Sequence, residues 1–317
     1  MRICLYCDHR LPALKYGGTE RVVWSLGKAL AAKGHEVTLL AAKGTQAPFA
    51  RVLEINPEAP LSSQIPADVD IVHLQNAVPE DVRIAGEAGK IPPYVVTIHG
   101  NLGEGAHIDP NSIFVSSNHA LRHGAEAFVY NGLDWDDYPA FVPGLERKGM
   151  FFLGKAAWRV KNLKGAIYIA RETGERLDVL GGTRLNFKMG FRLTLDPRIH
   201  FHGMVDNEEK GRVANRSNGL IFPVRWHEPF GLAVVEAMYY GAPVFATPYG
   251  SLPELVIPGT GKLSEHLIDL GWAFKEFKGD ERFIHEYAAD NFNASVMADK
   301  YLHYYEEAAQ GRQLNNI

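Results

Sequence analysis

Two successive series of short apolar runs, each interrupted by helical stretches, constrain the fold of this chain most strongly. In the first half, apolar runs at residues 3–7 and 36–42 flank a predicted helix at 20–33, and the same alternation starts again at Met150. Alternation of this kind is typical of parallel strands wound by helices on both faces of a sheet. We therefore expect an α/β protein with two Rossmann-like, doubly wound domains facing across a cleft.

The predicted elements divide the chain near residue 147. With 317 residues the chain is long enough for two domains of about 150 residues each. We place the domains at 1–147 and 148–293, and read residues 135–149, with two prolines and mixed charge, as a linker. Further strands are predicted at 70–74, 94–98, 113–116, 127–130, 150–154, 177–181, 199–202 and 220–224. Further helices are predicted at 162–173, 206–217 and 294–309.

Composition narrows the class of protein. Hydrophobic residues make up 46% of the chain and charged residues 22%, as in ordinary globular proteins, and no apolar run approaches the length of a membrane span. Cys4 and Cys7 fall on opposite faces of one strand, so we expect free thiols and a cytoplasmic protein. Of 33 Lys+Arg and 37 Asp+Glu, 13 and 17 lie before residue 149. This acidic first half argues against a basic membrane-docking face or a nucleic-acid groove there. We expect no nucleic-acid partner and no stable membrane insertion.

Two carboxylates, separated by seven residues, mark the most informative segment. Glu228 and Glu236 lie on either side of a Pro-Phe-Gly turn that follows an apolar strand and opens a helix. The N–H groups of Phe230, Gly231 and Leu232 would form an anion-binding helix N-terminus. This set suits a nucleotide diphosphate sugar, with Glu228 on sugar hydroxyls and Glu236 on the ribose. The alternative is a surface helix with ordinary solvated glutamates.

Three cations precede the predicted helix at 162–173. Lys155, Arg159 and Lys161 follow a strand that ends in Gly154. A diphosphate leaving group gains negative charge as its glycosidic bond breaks, and fixed cations stabilise that charge. The alternative is a solvated basic loop.

Two weaker signals lie in the first half. Gly17 and Gly18, within Lys15-Tyr16-Gly17-Gly18, let the backbone approach a phosphate at a helix N-terminus. His99 follows the strand at 94–98, and ligands of open parallel sheets bind beyond the carboxyl ends of strands. His73 lies in an analogous strand and is a candidate acceptor contact. A structural role is the alternative for each histidine.

The segment at 227–250 also resembles the Glu-seven-residues-Glu signature of retaining glycosyltransferases of family 4, which have the two-domain GT-B fold. The following Gly-Ala-Pro-Val, Ala-Thr-Pro-Tyr-Gly and Leu-Pro-Glu-Leu-Val strings share this resemblance, which covers nearly the whole chain and is strongest at 150–257. It implies sugar transfer from a nucleotide diphosphate sugar to a hydroxyl, with retention. It also implies a donor site in the second domain, an acceptor site in the first, and a last helix, 294–311, that packs back on the first domain.

The resemblance assigns roles to particular residues. Lys161 matches a family lysine on the diphosphate, whereas Lys155 occupies the position of a family arginine and lacks its bidentate fork. Arg159 is the alternative source of a guanidinium. His99 matches a family histidine that meets the donor sugar, and Gly17-Gly18 resembles a loop near the diphosphate. The expected catalytic residues are therefore His99, Lys155, Lys161 and Glu228, and the expected donor-binding residues are Gly17, Gly18, Arg159, Phe230, Gly231, Leu232 and Glu236.

No metal or other cofactor is expected. Asp68-Val69-Asp70 and Asp134-Trp135-Asp136 both spell the Asp-x-Asp of metal-dependent glycosyltransferases. Asp70 begins a strand, however, and Asp134 closes a segment that resembles the family's domain junction. The histidines have no cysteine partners at zinc-ligand spacing. Cations and helix N-termini are expected to neutralise the diphosphate instead.

Several functional alternatives stay open at this point. UDP is favoured over GDP on base rates, the mechanism is expected to be a front-face departure, and glycines 100, 103 and 105 suggest a modest, soluble acceptor. Lys155 in the arginine position and the short first domain keep a nucleotide-sugar-binding protein without transferase activity in play. An epimerase of the same fold would need a carboxylate acid/base pair in the first domain, and no convincing pair is present.

Overall fold

The chain forms two compact units in a computed structural model that describes residues 1–13, 17–187 and 191–316. The first unit comprises Met1–Asp134 and Phe292–Ile317, and the second comprises Trp135–Asn291. Each unit contains a six-stranded parallel sheet with helices, which confirms the predicted α/β class and its two Rossmann-like units. Among the described residues, no helix combines the length and apolar character needed to span a membrane.

The first unit has a sheet in the order β3-β2-β1-β4-β5-β6. Its strands are β1 (Arg2–Cys7), β2 (Glu36–Ala41), β3 (Arg51–Glu54), β4 (Ile71–Gln75), β5 (Tyr94–Ile98) and β6 (Ser112–Phe114). Its first three helices are α1 (Gly18–Ala32), α2 (Glu80–Glu87) and α3 (Ser117–Arg122). This strand order reverses between β1 and β4, where doubly wound sheets bind ligands. Cys4 and Cys7 are buried free thiols, as predicted.

The strand predicted at 127–130 is wrong. This stretch meets β6 through a single bridge between Phe114 and Phe128. Side chains from the C-terminal segment bind its amides instead: Asn315 Oδ1 accepts from the Glu126 and Ala127 N–H groups at 2.9 Å, and the Tyr304 hydroxyl accepts from Phe128 N–H at 3.3 Å. These contacts come from far along the chain, so the local apolar pattern does not reveal them.

The second unit repeats the topology of the first. Its sheet runs β11-β8-β7-β12-β13-β14, with the order reversing between β7 and β12. The strands are β7 (Met150–Leu153), β8 (Leu177–Leu180), β11 (Ile199–Phe201), β12 (Leu220–Phe222), β13 (Val244–Ala246) and β14 (Gly261–Leu263), and β9 (Leu185–Asn186) pairs with β10 (Arg192–Leu193) in a separate hairpin. The helices are α4 (Leu163–Thr173), α5 (Asn207–Ala214), α6 (Leu232–Tyr239), α7 (Leu252–Leu255), α8 (Leu267–Glu276) and α9 (Glu281–Asn291).

The last helix, α10 (Ala294–Ala309), packs against α1 and β5 of the first unit. Two backbone hydrogen bonds hold the start of this helix to Leu133. Leu133 N–H donates to Phe292 O at 3.0 Å, and Ala294 N–H donates to Leu133 O at 2.9 Å. Tyr301 and Tyr305 are fully buried there. The C-terminal segment therefore completes the core of the first unit.

The segment at 135–147 belongs to the second unit, whereas the sequence pattern placed the boundary at residue 147. Trp135 stacks on Tyr239 of α6, with ring centroids 4.1 Å apart and planes 6° from parallel. Asn215 Oδ1 also accepts from the Val142 N–H at 3.0 Å. Aromatic stacking and side-chain hydrogen bonds hold this proline-containing segment, which the sequence pattern read as a linker, on the second unit.

Candidate functional site

The carboxyl ends of β7 and β12 bring the predicted cation segment and Glu228 together. These strands are neighbours at the point where the strand order of the second unit reverses. The chain leaves β7 into the loop with Lys155 and Lys161, and leaves β12 into the loop with Glu228. Since both loops emerge at the same edge, the sheet topology itself positions a ligand crevice there.

Lys161 and Glu228 form a buried ion pair at this edge. Lys161 Nζ donates to Glu228 Oε1 at 2.9 Å and to Oε2 at 2.6 Å, and Trp226 Nε1 donates to Oε2 at 2.7 Å. Both charged side chains are buried. The ammonium also lies 4.8 Å from the Trp226 ring centroid, within cation–π distance. A positive charge and an oriented carboxylate are thus fixed side by side.

Backbone contacts fasten the two loops to each other. Asn162 adopts a left-handed conformation with φ 53°, caps α4 by accepting from Gly165 N–H, and donates from Nδ2 to Pro223 O at 2.8 Å. Arg225 N–H donates to Val160 O at 2.7 Å. Because Asn tolerates the left-handed region and its side chain bonds locally, it suits this junction. Lys161 is consequently held from both sides of its own loop.

Two glycines permit close backbone approaches beneath the site. Gly250 has φ +69°, and a Cβ there would lie 2.2 Å from Glu228 O. Gly181, at the end of β8, has φ +123°, and its Cβ would lie 2.1 Å from Gly154 O. A larger residue at position 250 would push the Glu228 loop away, and one at position 181 would push the Lys155 loop away. These close approaches account for glycine at both positions.

Lys155 and Arg159 lie on the same loop as Lys161 but nearer its surface. Lys155 is partly buried, with Nζ 4.9 Å from the ring centroid of Trp158, and Arg159 is exposed. The structure therefore separates the three predicted cations into one buried, paired lysine and two surface cations.

The predicted anion-binding segment begins α6. Gly231 is the N-cap with φ 101° and makes no side-chain cap, and Leu232 is the first helical residue. Phe230 is buried, and its carbonyl accepts a hydrogen bond from Ser251 Oγ. Helix N-termini carry partial positive charge, so this turn adds to the positive field at the edge.

Glu236 is more deeply buried than the sequence suggested. It is 2% exposed, pairs with the Nζ of Lys210 (3% exposed), and accepts from the Tyr138 hydroxyl at 3.0 Å. Lys210 and Tyr138 escaped the sequence analysis: a lysine on the amphipathic α5 reads as solvated, and Tyr138 falls in the apparent linker. The expected ribose carboxylate is therefore one half of a buried ion pair.

In the first unit, His99 is bonded to Gln75. His99 follows β5, Gln75 is the last residue of the neighbouring strand β4, and His99 Nε2 lies 2.7 Å from Gln75 Oε1. An amide oxygen accepts, so Nε2 carries the proton and Nδ1 is the acceptor of the ring. Burial, together with the neighbouring His119, lowers the pKa of His99 from 6.5 to about 3. The imidazole is neutral at physiological pH and can accept a hydrogen bond from a hydroxyl.

His73 lies inside the core of the first unit. It is 1% exposed, with Nδ1 2.7 Å from the Tyr305 hydroxyl and Nε2 2.7 Å from Thr97 Oγ1. An acceptor contact would require it to give up one of these hydrogen bonds. Its geometry favours the structural alternative, in which it ties β4 to α10.

We expect the free energy of unfolding of the protein to fall as the pH drops below 6.5. Burial, with His99 as a lesser cause, lowers the pKa of His73 from 6.5 to about 3, so between these values the unfolded chain binds a proton that the folded chain does not. In His73→Gln the new side chain does not titrate. The slope of the free energy of unfolding against pH should therefore fall by up to about 1.4 kcal/mol per pH unit. Denaturant unfolding across this range measures it, and identical slopes for both proteins would contradict the expectation.

The predicted glycine loop lies at the start of α1. Gly17 is its N-cap and Gly18 its first residue, and a Cβ on Gly17 would lie 2.7 Å from Glu20 Oε2. Lys15 and Tyr16 of the same motif lie outside the described residues.

Both Asp-x-Asp strings engage cations of the protein. Asp70 pairs with Arg2 at 2.7 Å, Asp68 pairs with Arg51 at 3.1 Å, and Asp134 pairs with Lys28. A separate group of side chains that could ligate a metal was not anticipated and lies at the end of β1: Cys7, Asp8 and His9. Asp8 Oδ1 and His9 Nδ1 are 2.6 Å apart within this group.

Comparison with known proteins finds matches to two glycosyltransferase families and similarity to solved structures. A family described as "Glycosyltransferase Family 4" matches residues 16–135, and one described as "Glycosyl transferases group 1" matches residues 140–271. The chain is similar to a structure of AviGT4, a glycosyltransferase involved in avilamycin A biosynthesis (18% identity, 98% of each chain, TM-score 0.79). It is also similar to Anabaena Alr3699/HepE in complex with UDP and glucose (16% identity, 96% and 99% of the chains, TM-score 0.66).

A curated relative shares part of the sequence. An uncharacterized 41.2 kDa protein in the cps region of Klebsiella pneumoniae is 34% identical over 119 residues, which span 34% of this chain and 32% of that protein. The chain thus covers about a third of the length of this relative.

The two parallel sheets and the matched families together define a GT-B glycosyltransferase. The match at residues 16–135 covers less than half of the chain and supports the family 4 type within that class. The signature carboxylates Glu228 and Glu236 lie in the part that matches the group 1 family.

Proposed function

We propose that the protein transfers a sugar, with retention, from a nucleotide diphosphate sugar to a hydroxyl of an acceptor. The Lys161–Glu228 pair at the reversal point of the second sheet carries this proposal. In this proposal its ammonium binds the diphosphate, and its carboxylate binds the hydroxyls of the attached sugar. The matches to two glycosyltransferase families support the same reaction class.

The proposed chemistry is a front-face displacement. The bond between the sugar C1 and the diphosphate oxygen breaks, and its electron pair leaves with the nucleoside diphosphate. The acceptor hydroxyl forms the new bond to C1 on the same face and gives its proton to the departing phosphate oxygen. Lys161 and the α6 N-terminus stabilise the charge that grows on this oxygen.

UDP is the donor nucleotide that we propose. The similar Anabaena protein is described in complex with UDP and glucose, which supports a uridine donor here. We propose a modest-sized soluble glycan as acceptor, since the described residues 99–111 form neither helix nor strand and carry Gly100, Gly103 and Gly105. Free Cys4 and Cys7 fit a reaction in the cytoplasm.

A thermal-shift panel of nucleotide sugars tests the binding part of the proposal. A ligand that binds the folded state stabilises it by about 2.7 kcal/mol at a hundred-fold excess over its Kd. We expect a UDP-sugar to give the largest rise in melting temperature. A larger rise with a GDP-sugar would replace the donor assignment, and no rise with any nucleotide sugar would overturn the proposal.

A nucleotide-sugar-binding protein without transferase activity is the second candidate. The reason to consider it is Lys155, which lies where the family resemblance has an arginine. A lysine is a point charge and lacks the bidentate fork of arginine. Both candidates predict a thermal shift, so turnover separates them.

We expect activity to survive excess EDTA. Lys155, Arg159, Lys161 and the α6 N-terminus already offer positive charge to the diphosphate, so a divalent ion has no required role. Donor consumption should be equal in chelator and in added magnesium or manganese. Strict dependence on added metal would contradict the expectation and would point to Cys7, Asp8 and His9 as the first ligands to test.

A further inference from the structure

An apolar face covers the outside of the hairpin formed by β9 and β10. In this antiparallel pair Leu185 lies opposite Leu193, and the rings of Phe187 and Phe191 are 5.8 Å apart. These four side chains and Leu195 all point to solvent, with exposures of 45% (Leu185), 73% (Phe187), 64% (Phe191), 50% (Leu193) and 78% (Leu195). Contiguous exposed apolar residues of this size mark interaction surfaces.

The inner face of the same hairpin is polar. Arg192, opposite Asn186, is partly buried, with its guanidinium 5.0 Å from the Phe201 ring centroid and donating to Thr183 O at 3.0 Å. An ordinary surface ribbon turns its apolar side chains inward and its arginines outward. The reversed pattern means that the apolar face is not explained by packing within the second unit.

Cations and a tyrosine border this face. On α4, the exposed residues Lys164, Tyr168 and Arg171 follow one another at helical spacing, and Arg171 Nε reaches Asp196 Oδ2 at 3.1 Å, next to Leu195. Arg198 pairs with the same carboxylate, Asp196, so two cations face one acidic group at this end of the face. The occupant should therefore be apolar inside and negatively charged at its surface.

We propose that this face, made of Leu185, Phe187, Phe191, Leu193 and Leu195 with the exposed stripe of α4, docks on a bilayer that contains anionic lipids. Phenylalanine and leucine side chains enter the boundary of the acyl chains, while lysine, arginine and tyrosine remain at the headgroups. The docking is peripheral and goes beyond the proposed sugar transfer, which it neither requires nor supplies.

Vesicle flotation of the full chain tests the proposal. We expect the protein to float with vesicles of equal parts phosphatidylglycerol and phosphatidylcholine, to float less with phosphatidylcholine alone, and to be released by high salt. Phe187→Ser with Phe191→Ser should lower the bound fraction about tenfold or more, because two exposed rings are lost from the acyl boundary. Leu121→Ser, which alters a leucine 69% exposed in the first unit, is the matched control and should float normally.

Two readouts keep the result interpretable. Melting temperatures check that the double variant is folded, and donor consumption, measured without vesicles, should be unchanged in it. Failure of the native protein to float with anionic vesicles would overturn the docking proposal while leaving the proposed reaction untouched. A concentration-dependent dimer in sedimentation equilibrium that the double variant abolishes would overturn it in favour of a second copy as the occupant.

Discussion

Lys161→Gln is expected to lower turnover about a hundred-fold or more while weakening donor binding much less. The ammonium faces charge that grows on the departing diphosphate, so its effect is larger in the transition state than in the bound ground state. Burial strengthens this effect, because Lys161 is fixed against Glu228 and beside the Trp226 ring rather than mobile in water. The comparison is of kcat and KM for donor consumption.

Lys164→Gln is the matched control for this experiment. Lys164 is exposed on the first turn of α4, three residues beyond Lys161, and should leave turnover unchanged. Lys155→Gln and Arg159→Gln, on the same loop, ask which surface cation assists the buried one. Similar, mild losses from all four variants would support a solvated basic loop and contradict the role assigned to Lys161.

Removing one partner of a buried ion pair also leaves the other charge buried without a counter-charge. Loss of a partner in such pairs typically costs about 3–5 kcal/mol of stability. The double variant Lys161→Gln with Glu228→Gln leaves neither charge unpaired. If it is folded but remains inactive, the loss of turnover cannot be assigned to unfolding.

Glu236→Gln is expected to weaken nucleotide binding by about 1.5–3 kcal/mol, the contribution of a charged hydrogen bond. The reason is the proposed contact between this carboxylate and the ribose hydroxyls. Calorimetry with UDP and with its 2′,3′-dideoxy analogue makes the test specific. The native protein should prefer UDP, and the variant should lose that preference. Equal discrimination by both proteins would contradict the ribose role.

Truncation of this residue should also destabilise the fold. Glu236→Ala leaves Lys210 as a buried charge without its partner, so we expect a loss of stability of about 3–5 kcal/mol. The variant Glu236→Gln with Lys210→Gln removes both charges and isolates the binding effect. Its melting temperature should lie above that of Glu236→Ala.

The repeated alternation of apolar runs predicted the two sheets well because buried parallel strands leave a strong local signal. Strands such as β1 and β12 are buried along almost their whole length and read as continuous apolar runs. The edge strand β3 (Arg51–Glu54) was not predicted, since it has charged ends and is only half-buried. The β9–β10 hairpin was also missed, because its alternation spans only a few residues and its apolar side chains point to solvent instead of into the core.

The site was predicted in its parts but not in its pairings. Sequence spacing and family resemblance selected Lys161, Glu228 and Glu236, and the first two meet in one ion pair. The partner of Glu236, Lys210, lies 26 positions away on another helix, and nothing local distinguishes it from a solvated lysine. Contacts of this kind depend on how elements pack, which periodicity does not record.

We expect this protein to break the glycosidic bond of a nucleotide sugar at the Lys161–Glu228 pair. Proton and phosphorus NMR of the native protein, with the best-binding donor and a panel of glycan acceptors, tests it most directly. We predict that donor signals fall, nucleoside diphosphate appears, and the product keeps the anomeric configuration of the donor, all of which Lys161→Gln should abolish. An inverted anomer would contradict the retaining mechanism, and an intact donor despite demonstrated binding would contradict catalysis itself.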